Sequence, residues 1–249
     1  MSDLESLTGK RALVTGAAKR LGRAVAERLA REGAHLVLHH RSSPMEVEDL
    51  RKALECQGVE AAVVQADLSN LDSLAAFLRG CIASHGPLDY LVNCASIFEE
   101  AGFAELDAES LRRNVDINAL SPTLLAREFA SQGRPGAIVN FLDTMIMDYD
   151  RKHVPYHLSK RMFATLNRIM AVEFAPAIRV NAVAPGLVLP PEGKGVDYLE
   201  ALHGSNLLQR HGSAEGIGEA VVFLLRSGFI TGQTIYLDGG RHMRGAMYE

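Results

Sequence analysis

Arg11-Ala12-Leu13-Val14-Thr15-Gly16-Ala17-Ala18-Lys19-Arg20-Leu21-Gly22 is the stretch that decides the fold. Residues 11–14 read as a strand, a glycine-bearing turn follows, and helical spacing then runs through Leu29. A strand feeding a helix through such a turn is the opening half of a βαβ unit. There, backbone N–H groups and the helix N-terminus face the same point and suit a pyrophosphate. Helix-to-strand packing alone can also require glycine, so the weight comes from the turn's place in the unit.

Outward from this stretch the alternation continues. Residues 36–38, 59–65, 88–92, 137–141, 178–183 and 234–237 read as further strands, making about seven. Helical patterns fill 47–54, 71–82, a long region before 137, and 156–174. Strands alternating with helices imply an α/β fold: a single Rossmann-type doubly wound domain, its parallel sheet covered by helices on both faces. No repeat or linker divides the chain, so residues 1–249 read as one domain, with a cofactor half to about 135 and a catalytic half from about 136. The Gly/Pro-rich stretch 185–195 reads as a mobile loop over a site.

Composition narrows the function. The chain is 47% hydrophobic and 22% charged, as in ordinary globular proteins. A net charge of −4 argues against nucleic acid or an anionic membrane as partner. No apolar run reaches the roughly 18 residues that span a bilayer, and Met1-Ser2-Asp3-Leu4-Glu5 does not read as a signal peptide. Cys56, Cys81 and Cys94 are odd in number and widely spaced, which suggests neither a disulfide framework nor zinc. They read as small buried hydrophobes of a cytoplasmic protein.

The second strand runs into Leu38-His39-His40-Arg41-Ser42. An NAD site would carry an acid here, about 20 residues past the turn, for the ribose 2′-OH. None is present, and Arg41, with Ser42 and His40, suits a 2′-phosphate, so the expected cofactor is NADPH/NADP. A solvated basic cluster is the alternative. Asp67 and Leu68 end the third strand where an adenine would lie, although Asp67 also suits a helix cap. Asn93-Cys94-Ala95-Ser96 ends the fourth, in keeping with ligand binding at strand C-termini.

Phe141-Leu142-Asp143 ends the fifth strand, thirteen residues before Tyr156, and Lys160 follows Tyr156 by four. Residues four apart share a helix face. A lysine there is expected to lower the phenol pKa and make Tyr156 a general acid. Asp143 can relay that proton or cap the loop after its strand. His153 and His157 have the spacing of two helical metal ligands, but Pro155 intervenes and no third ligand is evident, so no metal is expected.

Together these features resemble the short-chain dehydrogenase/reductase family over nearly the whole chain. The markers are the Thr15-to-Gly22 turn, Asn93-Cys94-Ala95, Asn118, the Tyr156/Lys160 pair, Pro185-Gly186 and Asp238-Gly239-Gly240. The resemblance implies cofactor contacts from Gly16, Arg20, Leu21, Asn93, Ala95, Tyr156, Lys160, Pro185 and Gly186. It also implies that Lys160 holds the nicotinamide ribose and that Asn118 supports a water-mediated proton relay.

Departures from the common pattern point to a narrower resemblance. Arg20 stands at the turn's usual middle glycine, Asp143 at the usual serine, Ser96 after the Asn93-Cys94-Ala95 strand end, and Phe98 two residues later. Cys94 replaces a frequent asparagine. This combination looks like the pteridine reductases and bacterial dihydromonapterin reductases, as does Leu237-Asp238-Gly239-Gly240-Arg241-His242-Met243-Arg244. The resemblance implies that Phe98 stacks on a pterin, that Arg20 and Ser96 reach its polar edge or the cofactor phosphates, and that Asp143 and Tyr156 protonate it. Reducing a ring C=N needs a proton at nitrogen as hydride reaches carbon, which suits an added acid. The expected reaction is NADPH-dependent reduction of dihydromonapterin or dihydrobiopterin, with dihydrofolate or an oxidised pterin as further substrates. The alternatives are a reductase of another small ketone and a non-catalytic NADP(H)-sensing scaffold. A homotetramer is implied by resemblance only, with residues 241–247 closing a neighbouring subunit's site.

Overall fold

All seven strands of the computed structural model run parallel in one sheet, ordered β3-β2-β1-β4-β5-β6-β7. Residues 4–148, 150–191 and 193–243 are described. The strands are β1 (Arg11–Thr15), β2 (His35–His40), β3 (Ala61–Gln65), β4 (Tyr90–Asn93), β5 (Gly136–Phe141), β6 (Ile178–Pro185) and β7 (Thr234–Leu237). The helices are α1 (Arg20–Arg31), α2 (Pro44–Glu55), α3 (Leu74–His85), α4 (Ala108–Val115), α5 (Ser121–Ala130), α6 (Val154–Glu173), α7 (Val196–Leu202) and α8 (Ala214–Arg226). The expected doubly wound fold is observed.

Side-chain alternation explains the two layers. Ala12 and Val14 of β1 face one core with Val25 and Leu29 of α1, Leu50 of α2 and Val221 of α8. Leu13 faces the other, with Leu78 of α3, Phe129 of α5 and Phe163 of α6. Each of the valine, leucine and phenylalanine side chains contributes about 1.5–3 kcal/mol on burial. Every strand is therefore apolar on both faces, and every strand C-terminus lies at one edge. The sheet order reverses direction between β1 and β4, and a crevice opens there.

Three segments differ from the expected pattern. The 71–82 helix begins as a 3₁₀ turn, Leu71–Ser73, before α3. The long helical region resolves into α4, a π-type turn (Asp116–Leu120) and α5. Such turns are rare and gather at functional sites; this one buries Asn118. The 185–195 stretch is not free along its length: Leu187 and Val188 are buried, while residues 193–195 are exposed. No helix among the described residues is long and apolar enough to cross a membrane.

Candidate active site

The cleft, about 680 Å³, lies along the C-terminal ends of β1, β4 and β5. At its β1 end, Gly16 adopts φ +67, and a Cβ there would sit 3.0 Å from the Ala95 Cα. A Cβ on Gly22 would meet the Gly16 carbonyl oxygen at 2.1 Å. Both glycines are thus forced by close approach. Arg20 takes φ +53, the left-handed region that glycine normally supplies, at a cost of roughly 1–2 kcal/mol. The N-terminus of α1 receives no side-chain capping bond from its N-cap residue, Lys19. Its orphan N–H groups and the exposed Arg20 border the cleft, which fits a pyrophosphate.

His39 was not among the expected site residues, yet it locks this turn. Its Nδ1 accepts from Gly16 N at 3.2 Å, which leaves Nε2–H to donate to the Ala66 carbonyl at 3.1 Å. Burial drives its pKa down to about 4, so the ring stays neutral and keeps that tautomer. The only signal in sequence was a paired His at a strand end, one of which must face inward. His40 accepts from Ser43 N at 3.2 Å and lines the cleft beside exposed Arg41 and Ser42. A guanidinium, an imidazole and a hydroxyl thus meet at one corner of the cleft. Asp67 accepts from Ser69 N at 2.9 Å and Ser69 Oγ at 2.8 Å. It therefore closes an Asx turn rather than capping a helix, and those bonds hold its carboxyl below the usual range. Leu68 beside it also lines the cleft, as does Leu21.

At the β4 end, Thr15 Oγ1 accepts from Cys94 N at 3.0 Å and Ala95 N at 3.1 Å. Thr15 thereby ties the first turn to the fourth strand. Asn93 does not take the cofactor position expected of it. It is buried in the core, where its amide donates to Asn140 Oδ1 at 2.9 Å, and Asn140 donates to Asn167 Oδ1 at 2.9 Å. Cys94 and Ala95 line the cleft instead. Burial pushes the Cys94 thiol up to about 12, which keeps it protonated and unreactive. Asn118 is a brace. Its Oδ1 accepts from Ser96 Oγ and Ile97 N, both at 2.9 Å, and its Nδ2 donates to Ser159 Oγ at 3.1 Å. The loop that carries Ser96 and Phe98 is thus pinned to α6.

The third wall carries the acid pair. Tyr156 OH donates to Asp143 Oδ2 at 2.8 Å, and Asp143 Oδ1 accepts from Met145 N at 2.7 Å. Asp143 both caps its loop and meets the phenol. The expectation that Lys160 lowers the phenol pKa is overturned. Lys160 Nζ donates to the Phe141 carbonyl at 2.8 Å and lies 5.7 Å from the Tyr156 ring centre. Burial and the adjoining Asp143 charge raise Tyr156 well above 10. The phenol therefore stays protonated through the physiological range and stands as a proton donor. Pro185 and Gly186 border the same wall.

Phe98 is 55% exposed at the cleft mouth, edge-on to Tyr156 at 4.7 Å and stacked on His153 at 4.0 Å. His153 faces Asp150 Oδ2 at 2.9 Å, and His157 Nε2 lies 3.3 Å from the same atom. Asp150 is thus the third potential metal ligand that sequence did not reveal. Its carboxylate is already engaged as a cap, accepting from Lys152 N at 2.7 Å and His153 N at 2.9 Å. Of the tail, residues 244–247 lie outside the described residues.

A glycine turn at a bare helix N-terminus, a 2′-phosphate corner and a Tyr/Lys/acid wall define a dinucleotide-dependent oxidoreductase of the open α/β class. A family model described as Enoyl-(Acyl carrier protein) reductase matches residues 16–242, and the chain belongs to the short-chain dehydrogenase/reductase family. It is 34% identical to L-xylulose reductase of Bos taurus, over 94% of this chain and 97% of that one. It is also 34% identical to pteridine reductase 1 of Leishmania tarentolae, with the same coverage. Among solved structures, FolM alternative dihydrofolate reductase 1 from Brucella canis, complexed with NADP, superposes with a TM-score of 0.88 at 32% identity, covering 96% of each chain.

Burial moves the Lys160 pKa from 10.5 down to about 8. Between those values the unfolded chain holds a proton that the folded one has released, so folding is favoured more as pH rises. This contribution is complete above 10.5 and is lost as pH falls through 8. Urea unfolding of wild type against Lys160→Met is expected to show wild type gaining up to about 3 kcal/mol across that window. Parallel pH curves for the two proteins would contradict a buried, displaced lysine.

Proposed function

We propose that this protein is an NADPH-dependent reductase of a dihydropterin, producing the tetrahydro form. The observation that carries the reading is the 2.8 Å contact between Asp143 and Tyr156, an acid pair where a carbonyl reductase needs one hydroxyl donor. Support also comes from Phe98, exposed beside that pair as a flat platform, and from similarity to pteridine reductase 1 and to the FolM protein. When bound, NADPH supplies the hydride that reaches ring C6. His40, Arg41 and Ser42 hold the 2′-phosphate, and the N-terminus of α1 with Arg20 holds the pyrophosphate. Phe98 orients the pterin ring over the cleft. As C6 gains hydride, N5 becomes basic and takes a proton from the Tyr156 hydroxyl. Asp143 and Tyr156 hold a single proton site between them, which solvent refills.

A second reading, reduction of a small ketose, is favoured by the equal identity to L-xylulose reductase. The two readings differ on Asp143, which a ketone reductase does not need. NADPH oxidation is to be followed with dihydromonapterin, dihydrobiopterin, dihydrofolate and L-xylulose, using wild type and Asp143→Ser. Turnover of a dihydropterin is expected, falling about 100-fold or more in the variant with NADPH affinity within about twofold. Turnover of L-xylulose alone, undiminished in Asp143→Ser, would overturn the proposal in favour of the second reading.

The proposal extends to a homotetramer, supported by the exposed apolar side chains of Ile169 and Val172 on α6 and of Phe223 and Phe229 on and after α8. Light scattering is expected to give a mass near four times the 27.0 kDa chain. A monomer across micromolar concentrations would contradict it.

A further inference from the structure

The loop that presents Asp143 is tied to a part of the chain that does not touch the cleft's chemistry directly. Thr144, next to Asp143 and buried, donates its hydroxyl to Asp238 Oδ2 at the end of β7, across 94 residues of sequence. Asp238 has a side chain only 1% exposed and carries three further hydrogen bonds. Gly240 N donates to Oδ1 at 2.9 Å, and His242 N and Nδ1 donate to Oδ2, both at 2.8 Å. His242 is itself held by stacking on Tyr236 at 4.0 Å. A carboxylate that deeply buried is costly unless several donors surround it, and here the chain supplies them from two sides of the sheet edge. Burial opposes the charge, and the bonds from Thr144 and His242 outweigh it, leaving the carboxyl below its usual range.

The same residue also backs a second segment of that wall. A Cβ on Gly186 would lie 2.5 Å from the Asp238 Cβ, so the Pro185-Gly186 segment packs directly against it. Asp143 itself has little freedom, because one oxygen caps Met145 N and the other receives Tyr156. The placement of its backbone then sets the distance to the phenol. We propose that Asp238 is a positioning residue: through Thr144 it fixes the Asp143 loop against Tyr156, and through Gly186 it backs the Pro185-Gly186 segment beside that loop. This rests on the reading above in which the Asp143–Tyr156 pair delivers the proton.

Thr144→Val removes the hydroxyl at nearly constant shape, Thr144→Ser keeps it, and Asp143→Asn supplies the background for a double-variant cycle. With a dihydropterin, Thr144→Val is expected to lower kcat about tenfold while pterin KM and NADPH Kd stay within about twofold. Thr144→Ser should restore most of kcat, and Thr144→Val should cost nothing further in Asp143→Asn. A second readout needs no substrate: the ¹³Cζ resonance of Tyr156 in ¹³C-tyrosine protein, assigned with Tyr156→Phe. It should move in Thr144→Val and Asp238→Asn, and stay at the wild-type position in Thr144→Ser. An unmoved resonance in folded Thr144→Val, or losses that multiply with Asp143→Asn, would overturn the inference. Failure of wild type to reduce any dihydropterin would instead sink the substrate reading, and the resonance would still decide the positioning claim.

Discussion

Parallel strands end together, and in this chain that single constraint assembles everything else. Because all seven strands share a direction, Thr15, Asn93 and Asn140 fall opposite one another in register. The residues just past them, Gly16, Cys94 and Asp143, then emerge at one edge. Thr15 accepts from the first two N–H groups beyond β4, and the Asn93–Asn140–Asn167 ladder ties β4 and β5 to α6. Buried amides bonded to one another fix the register of the strands whose ends carry the site, although Asn93 Oδ1 and Asn167 Nδ2 at the two ends of the ladder find no partner among the described residues.

On that frame the chemistry divides by element. The turn after β1 and the end of β2 bring N–H donors and cations to the cleft. The segment after β5 and the first turn of α6 supply the acid pair. Electrostatics within the pair differs from the simple picture of an ammonium acidifying a phenol. Lys160 is drawn to the Phe141 carbonyl, and burial together with the carboxylate beside it raises the Tyr156 phenol. A protonated phenol beside a carboxylate suits delivery of a proton to a basic ring nitrogen better than sustained stabilisation of an alkoxide. Sub-ångström placement then matters, and this is the job the Thr144–Asp238 contact performs.

The sheet was readable because core strands are apolar runs bounded by polar ends; 234–237 matched to the residue, and the others within three residues at each end. The helical half was less readable. The π-type turn at Asp116–Leu120 breaks the 3.6-residue period between α4 and α5. α8 was not assigned from sequence, and its Gly216 and Gly218 weaken the helical signal; a Cβ on Gly218 would sit 2.9 Å from Arg28 Cβ. In the site, Gly16, Arg20, His40, Arg41, Ser42, Ser96, Phe98, Asp143, Tyr156 and Lys160 could be named because local motifs carry them, and all line one cleft. His39, the inward turn of Asn93, Asp150 and the Thr144–Asp238 contact could not. Each depends on which way a side chain points, or on a partner far away in sequence, and neither is written in local spacing.

The central claim is that the acid pair serves reduction of a ring C=N. It is tested most directly by turnover of a dihydropterin with NADPH deuterated at the transferable C4 position, and NMR of the product. The account predicts one deuterium at C6 and a solvent-derived proton at N5, with the deuterated product forming about 100-fold more slowly in Asp143→Asn. Deuterium found only on a side-chain or sugar carbinol carbon, with the pterin ring unlabelled, would contradict it.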